Sequence, residues 1–132
     1  MAGRGTAVES GAQLQSAVVG VAEDLGLRTR TQVRVARRLW GAERFIDVVV
    51  THIESRRSLG IECKYQGGSG SAEEKIPSTI LDIAAWPIPG VVVFAGDGFS
   101  DNMRSYLYST GKAVVFSDLE SWLRLFFGLP DA

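Results

Sequence analysis

The chain is poor in the side chains that most often mark disulfide scaffolds, zinc sites and histidine chemistry. Among 132 residues there is one cysteine, Cys63, and one histidine, His52. A single cysteine excludes an internal disulfide framework and a multi-cysteine zinc site, and it fits a reducing, cytoplasmic setting. A single histidine excludes clustered histidine metal sites and any triad that needs a second one. No apolar run approaches the ~20 residues that span a bilayer. The first eleven residues lack the apolar core of a signal peptide, so no membrane partner is expected. Gly96-Asp97-Gly98 has no G-x-G-x-x-G around it and reads as a turn, so no organic cofactor is expected. Neither sign of charge dominates: 14 Lys and Arg stand against 15 Asp and Glu, for a net charge of -1. On totals alone, a uniformly basic nucleic-acid binder is excluded.

What is present is ordinary for a folded domain: 45% hydrophobic and 22% charged residues. The length suits one domain over residues 9–132, after a loose stretch at 1–8. A helix is predicted from Glu9, with Leu14, Val18, Val21, Ala22 and Leu25 on one stripe and Gly26 as its stop. Arg28 to Arg38 alternates with period two and reads as a strand. Phe45 to Ile53 is apolar on both faces and reads as a central strand. A turn at Glu54–Arg57 leads to a third strand, Ser58 to Gln66. Ser71-Ala72-Glu73-Glu74 fits a capping box, with a helix running to about Ala85 and a true start nearer Ile76 because of Pro77. Val91–Ala95, Phe99–Thr110, Ala113–Phe116 and a last helix through Phe127 complete an order of α-β-β-β-α-β-α-β-α. In that last helix, Leu119, Trp122, Leu123 and Phe126 form the expected core stripe, with Leu125 and Phe127 off it. The fold class is α/β, with a mixed central sheet flanked by helices.

Three charges stand in the two apolar strands of the predicted hairpin: Asp47, Glu62 and Lys64. Burying a lone carboxylate is costly, so charges in such strands need a partner or a purpose. Glu62, Lys64 and Gln66 are two apart and share a face. A turn centred between Glu54 and Ser55 sets Asp47 opposite Glu62. One centred between Ser55 and Arg56 sets it opposite Lys64, on that same face. A turn centred on Ser55 itself sends Asp47 to the other face. Two carboxylates on one face supply the hard oxygen ligands that Mg²⁺ takes, with water or phosphate completing its shell and Mn²⁺ as a substitute. Lys64 is placed to orient a water or to stabilise transition-state charge, and the Gln66 amide to hold a phosphate oxygen or a water. The alternative is a buried structural ion pair.

Ile46-Asp47, followed on the next strand by Ile61-Glu62-Cys63-Lys64, resembles the PD-(D/E)XK nuclease superfamily. The element order matches that family's αβββαβ core, the restriction endonuclease-like fold, with extra C-terminal αβα elements. Ile61 to Gln66, with the following stretch to Pro77, looks like a prokaryotic and phage-associated branch. The resemblance spans roughly Glu9 to Phe116. It implies Asp47 and Glu62 as metal ligands, the Cys63 carbonyl as a third, Lys64 as the catalytic lysine and Gln66 as its helper. Many relatives add an acid in the first helix, in a Gly-x-x-Leu-Glu pattern. Here that stretch is Gly11-Ala-Gln-Leu-Gln15, so Gln15 stands where Glu is expected, with Glu9 as the nearest accessory acid. Ile46 stands where the family has proline.

The resemblance implies a DNA endonuclease of restriction-like, homing, phage recombination or junction-resolving type. A small domain would cut both strands most readily as a homodimer. Residues 28–44 hold six arginines and one glutamate. Arg28, Arg30, Arg34 and Arg38 are predicted on one strand face, as phosphate contacts or as the charged outer face of an edge strand. Ser69, Ser71 and Lys75 are further candidate DNA contacts. A catalytically impaired fold that binds nucleic acid without cleaving it, and a protein-interaction module, are the competing readings.

Overall fold

The computed structural model describes residues 8–37, 43–68 and 75–130. The expected capping box at Ser71–Glu74 and the expected turn at Trp40–Ala42 lie outside the described residues. So do three of the candidate DNA contacts, Arg38, Ser69 and Ser71.

The elements run in the predicted order. They are α1 (Gly11–Asp24), β1 (Arg28–Arg37), β2 (Glu43–His52), β3 (Arg57–Tyr65), α2 (Ile76–Ala84), β4 (Gly90–Ala95), α3 (Asp101–Ser109), β5 (Ala113–Val115) and α4 (Leu119–Phe127). A 3₁₀ turn, Phe116–Asp118, feeds α4. Helix α1 starts two residues later than its apolar pattern suggests, because the Ser10 hydroxyl accepts the Gln13 N–H at 3.1 Å and fixes the N-cap. Among the described residues, no helix is long and apolar enough to cross a membrane.

The five strands lie in chain order, β1-β2-β3-β4-β5. The first three pair antiparallel, and β3, β4 and β5 pair parallel. Parallel neighbours need crossovers, which α2 and α3 supply. Crossovers are right-handed, so two successive steps in one direction put both helices on one face. The core divides accordingly. Leu14, Val18, Val48, Val50, Ile61, Cys63, Leu119 and Leu123 pack under α1 and α4. Ile46, Val49, Ile76, Ile83, Trp86, Val92, Phe94 and Leu107 pack under α2 and α3. Each fully buried aliphatic or aromatic side chain contributes about 1.5–3 kcal/mol.

Two glycines shape the second core. Gly60 and Gly90 are paired across β3 and β4, and the Trp86 ring lies over both. A Cβ at Gly60 would stand 2.6 Å from that ring and one at Gly90 2.5 Å. The bare backbone is the notch that lets the indole reach the sheet.

Helix α4 corrects one expectation. Leu119, Leu123 and Phe127 are its buried residues, whereas Trp122 and Phe126 are only partly buried. The i, i+4 row wins because it faces α1 and the sheet. Trp122 and Phe126 instead stack on each other at the border, 5.2 Å between centroids. Arg57 covers Phe126 at 4.7 Å and donates to its carbonyl at 2.9 Å, tying the β2–β3 hairpin to the end of α4. Leu125 is 84% exposed.

Candidate metal centre

Strands β2 and β3 pair through Val48↔Ile61, Val50↔Leu59 and His52↔Arg57. This is the register with the turn centred between Glu54 and Ser55. One step beyond the last pair of the ladder, Val48 and Ile61, it sets Asp47 alongside Glu62. The ladder stops there and a side chain takes over: Asp47 Oδ2 accepts the Cys63 N–H at 2.8 Å.

Simple alternation does not hold at that point. Ile46 packs under α2 and α3, whereas Val48 packs under α1 and α4. The same exchange occurs on β1. Thr29 bonds Glu23 of α1 at 2.8 Å, while Val33 packs on the α2–α3 side. The pairs Thr31↔Val48 and Val33↔Ile46 bracket the exchange, so Gln32 and Asp47 are its pivots. Asp47 is thus not simply one of a row with Glu62 and Lys64. Its carboxylate reaches the neighbouring strand's backbone from a point where the chain changes faces.

Glu62 and Lys64 do share a face, the α2–α3 side, beside Val92 and Phe94 of β4. Lys64 Nζ lies 3.5 Å from Glu62 Oε2. Glu62 Oε1 is buried and has no hydrogen-bond partner among the described residues. Burial, followed by the negative charge of Asp47, pushes the Glu62 carboxyl above its ordinary range, against the pull of Lys64 and Arg44. An orphaned buried carboxylate oxygen costs about 1–3 kcal/mol or more. A divalent cation would satisfy it. Two carboxylates near enough for the charge of Asp47 to act on Glu62, with no nitrogen or sulfur donor, fit a hard, oxygen-seeking ion, for which one or two protein carboxylates suffice. Among the described residues no group of three or more His, Cys, Asp or Glu side chains converges, so water, phosphate or a backbone carbonyl would complete the shell. The Cys63 side chain packs in the α1–α4 core, away from Glu62, and burial pushes its thiol far up.

The remaining candidates are spread around this centre. Gln66 is buried just beyond β3, and its Nε2 donates to the Gly98 carbonyl at 3.2 Å while its Oε1 is unpartnered among the described residues. Its backbone carbonyl accepts the Gly98 N–H at 2.7 Å. It thus clasps the β4–α3 turn. Gln15 lies near Asp47: Gln32 Nε2 donates to Gln15 Oε1 at 3.0 Å and to Asp47 Oδ1 at 3.1 Å. Glu9 precedes the N-cap, exposed, with its N–H bonded to Gln13 Oε1 at 2.7 Å. Lys75 is exposed at the N-cap of α2. His52 pairs with Ser55 Oγ at 2.7 Å and sits 6.0 Å from the Phe127 ring.

The single basic face is corrected by the exchange at Gln32. Arg28 and Arg30 pair with Thr51 and Val49 and share Val49's face, which is also that of Glu62 and Lys64. Arg34 pairs with Phe45 on the opposite face and forms an ion pair with Glu43 at 3.3 Å. Sequence reasoning missed Gln32, whose only signal is a neutral amide interrupting a row of arginines. It also missed Arg44, whose charge acts on Glu62 and which bonds Asp82 of α2 at 2.7 Å. No local pattern marks Arg44.

A family model for the PD-(D/E)XK nuclease superfamily domain matches residues 6–121. No curated protein matches the chain. Among solved structures, a protein of unknown function, AF1548, superposes with a TM-score of 0.55 at 22% identity, covering 78% of this chain and 56% of that one. Protein VC1899 from Vibrio cholerae superposes with a TM-score of 0.60 at 17% identity, covering 90% of this chain and 34% of that one. The chain therefore spans about half of the first and a third of the second, and the likeness is one of fold. The superfamily consists mostly of metal-dependent nucleases and typically uses Mg²⁺. With the match spanning most of its length and the αβββαβ core in place, this chain belongs to the PD-(D/E)XK nuclease superfamily.

Proposed function

We propose that this protein is a Mg²⁺-dependent deoxyribonuclease that hydrolyses phosphodiester bonds within DNA, with Asp47 and Glu62 holding the ion and Lys64 acting on the reacting phosphate. The observation that carries the reading is the buried Oε1 of Glu62, without a hydrogen-bond partner among the described residues, on a carboxylate whose Oε2 lies 3.5 Å from Lys64 Nζ. A bound divalent ion supplies charge neutralisation at phosphorus and a lowered pKa for its water.

The chain's own groups supply the rest. Hydrolysis adds a water oxygen to phosphorus and breaks a P–O ester bond. The water loses a proton, and the departing alkoxide gains one. The Lys64 ammonium, two residues from Glu62 on one face, binds a non-bridging phosphate oxygen as its negative charge grows, or orients the water. Gln66 holds the β4–α3 turn against the end of β3 and so fixes where Lys64 projects. Arg28 and Arg30 lie on the Lys64 face. They stand about 10 Å to the side of β3, two strand spacings away. This suits contact with neighbouring phosphates of one duplex. Cutting both strands calls for a second copy of the chain.

A second reading, a binder that does not cleave, draws on Gln15, a neutral amide beside Asp47 where relatives often carry an acid. One assay separates them. Wild type and Lys64→Ala are incubated with Mg²⁺ or Mn²⁺ and linear duplex, single-stranded, flap or four-way-junction DNA. Cleavage by wild type that is lost in the variant supports the nuclease. Salt-sensitive binding without cleavage in either metal supports the binder, and binding insensitive to salt supports neither.

A further inference from the structure

Gln32 occupies a left-handed backbone conformation, φ +50°, in the middle of a strand. Glutamine has no intrinsic preference for that region, and a strained residue of this kind directs attention to a function. The strain falls at the residue opposite Asp47, where both strands exchange faces.

The conformation has a visible product. In regular extended backbone, Gln32 would project with Arg30 and Arg34. Instead its carboxamide lies between α1 and β2, with Nε2 donating to Gln15 Oε1 at 3.0 Å and to Asp47 Oδ1 at 3.1 Å. An amide nitrogen carries two hydrogens, so both bonds are made at once. An ionised carboxylate only accepts, which fixes the amide with its nitrogen toward Asp47. Asp47 is thereby held at both oxygens: Oδ2 by the Cys63 N–H at 2.8 Å and Oδ1 by Gln32. Each oxygen keeps a further lone pair for another partner.

We propose that Gln32 is a positioning residue, with Gln15 as its brace, that fixes the Asp47 carboxylate in the orientation a divalent cation requires. The cation part rests on the proposed metal centre; the holding of Asp47 does not. Groups that orient a ligand typically change metal affinity 10–100-fold when removed.

Two measurements on the intact chain test it. Mn²⁺ binding is followed by calorimetry, and exchange of the Cys63 amide hydrogen by NMR, for wild type, Gln32→Leu, Gln32→Gly and Asp47→Ala. Gln32→Leu removes the donor and is expected to weaken Mn²⁺ binding about 10-fold. It is also expected to speed Cys63 exchange. Gln32→Gly removes the donor but relieves the strained φ, so it is expected to fold at least as stably as wild type. It should show the same loss of affinity and the same faster exchange, and it keeps the test decisive where Gln32→Leu fails to fold. Unchanged Cys63 exchange in a folded Gln32 variant overturns the proposal. Faster exchange with unchanged Mn²⁺ affinity also overturns it, because the orientation would not matter to the ion. Absence of Mn²⁺ binding in wild type, or affinity unaltered in Asp47→Ala, defeats the metal-centre reading. Cys63 exchange then still decides whether Gln32 holds Asp47.

Discussion

Asp47 takes the place of a strand. Where the β2–β3 ladder ends, its Oδ2 accepts the Cys63 N–H at 2.8 Å, so a carboxylate does what a backbone carbonyl does one step earlier. The bond seats an acidic group beside Glu62 without leaving a buried donor unmet.

Removing that group strands the amide. Asp47→Ala is expected to cost about 1–3 kcal/mol, the penalty for an unsatisfied buried donor. Asp47→Asn, which keeps an acceptor oxygen, is expected to cost less. Both should weaken Mn²⁺ binding. Urea unfolding with a parallel metal titration measures the two effects. Equal stability of Asp47→Ala and wild type would contradict the bridging role.

Glu62 makes stability depend on pH in an unusual direction. Its carboxyl is raised by burial first and by Asp47 second, so the folded chain retains a proton that the unfolded chain releases. Stability from this group is fully present below the unfolded value and is lost as pH rises through the raised folded value. Without metal, wild type should therefore lose melting temperature across that window, and Glu62→Gln should lose less and be the more stable at neutral pH. Added Mg²⁺ should offset the loss in wild type alone, because it favours the ionised carboxylate. Melting curves at several pH values, in chelator and in Mg²⁺, supply the comparison.

Cys63 is the sole thiol, buried in the α1–α4 core with its pKa pushed up by that burial. The thiolate is the reactive form. A disulfide reagent should modify native protein at least about 100-fold more slowly than a free cysteine. Full reactivity should return in denaturant. Rapid labelling of native protein would contradict the assigned burial.

The split of the arginines predicts unequal contributions to DNA binding. Replacing Arg28 and Arg30 together with Gln should reduce the slope of log affinity against log salt by about 2, one counterion for each lost phosphate contact. Arg34→Gln should change it by less, since Arg34 lies on the other face and is paired with Glu43 at 3.3 Å. Salt titrations on one duplex distinguish them. Equal slopes for all variants would remove β1 from the interface.

The notch under Trp86 predicts a packing effect. Gly90→Ala places a methyl 2.5 Å from the indole, and overpacking of this kind costs about 1–3 kcal/mol. The indole fluorescence should shift with it. Gly60→Ala should behave alike, and the double variant should cost less than the sum, because a displaced indole relieves both contacts.

Much of this was legible in the residues. The order of nine elements follows from local periodicity and its punctuation, with ends displaced by a residue or two where a cap such as Ser10 decides. Glu62 and Lys64 share a face in any strand that contains both, whatever its neighbours. The burial of Phe127 is not legible locally, because one helix offers two overlapping apolar rows and the choice between them belongs to the surface beneath.

The sequence by itself determined the elements, the shared face of Glu62 and Lys64, and the need of three charges for partners. Tertiary structure decided the hairpin register, the burial of Gln66 against Gly98, and the exchange of faces at Gln32 and Asp47. The physical reason is range. Periodicity and capping act over a few residues and leave their trace in the chain. A left-handed glutamine in mid-strand has no local preference to announce it. It is held by partners 17 residues back in α1 and 15 residues ahead in β2, which meet only once the sheet has formed.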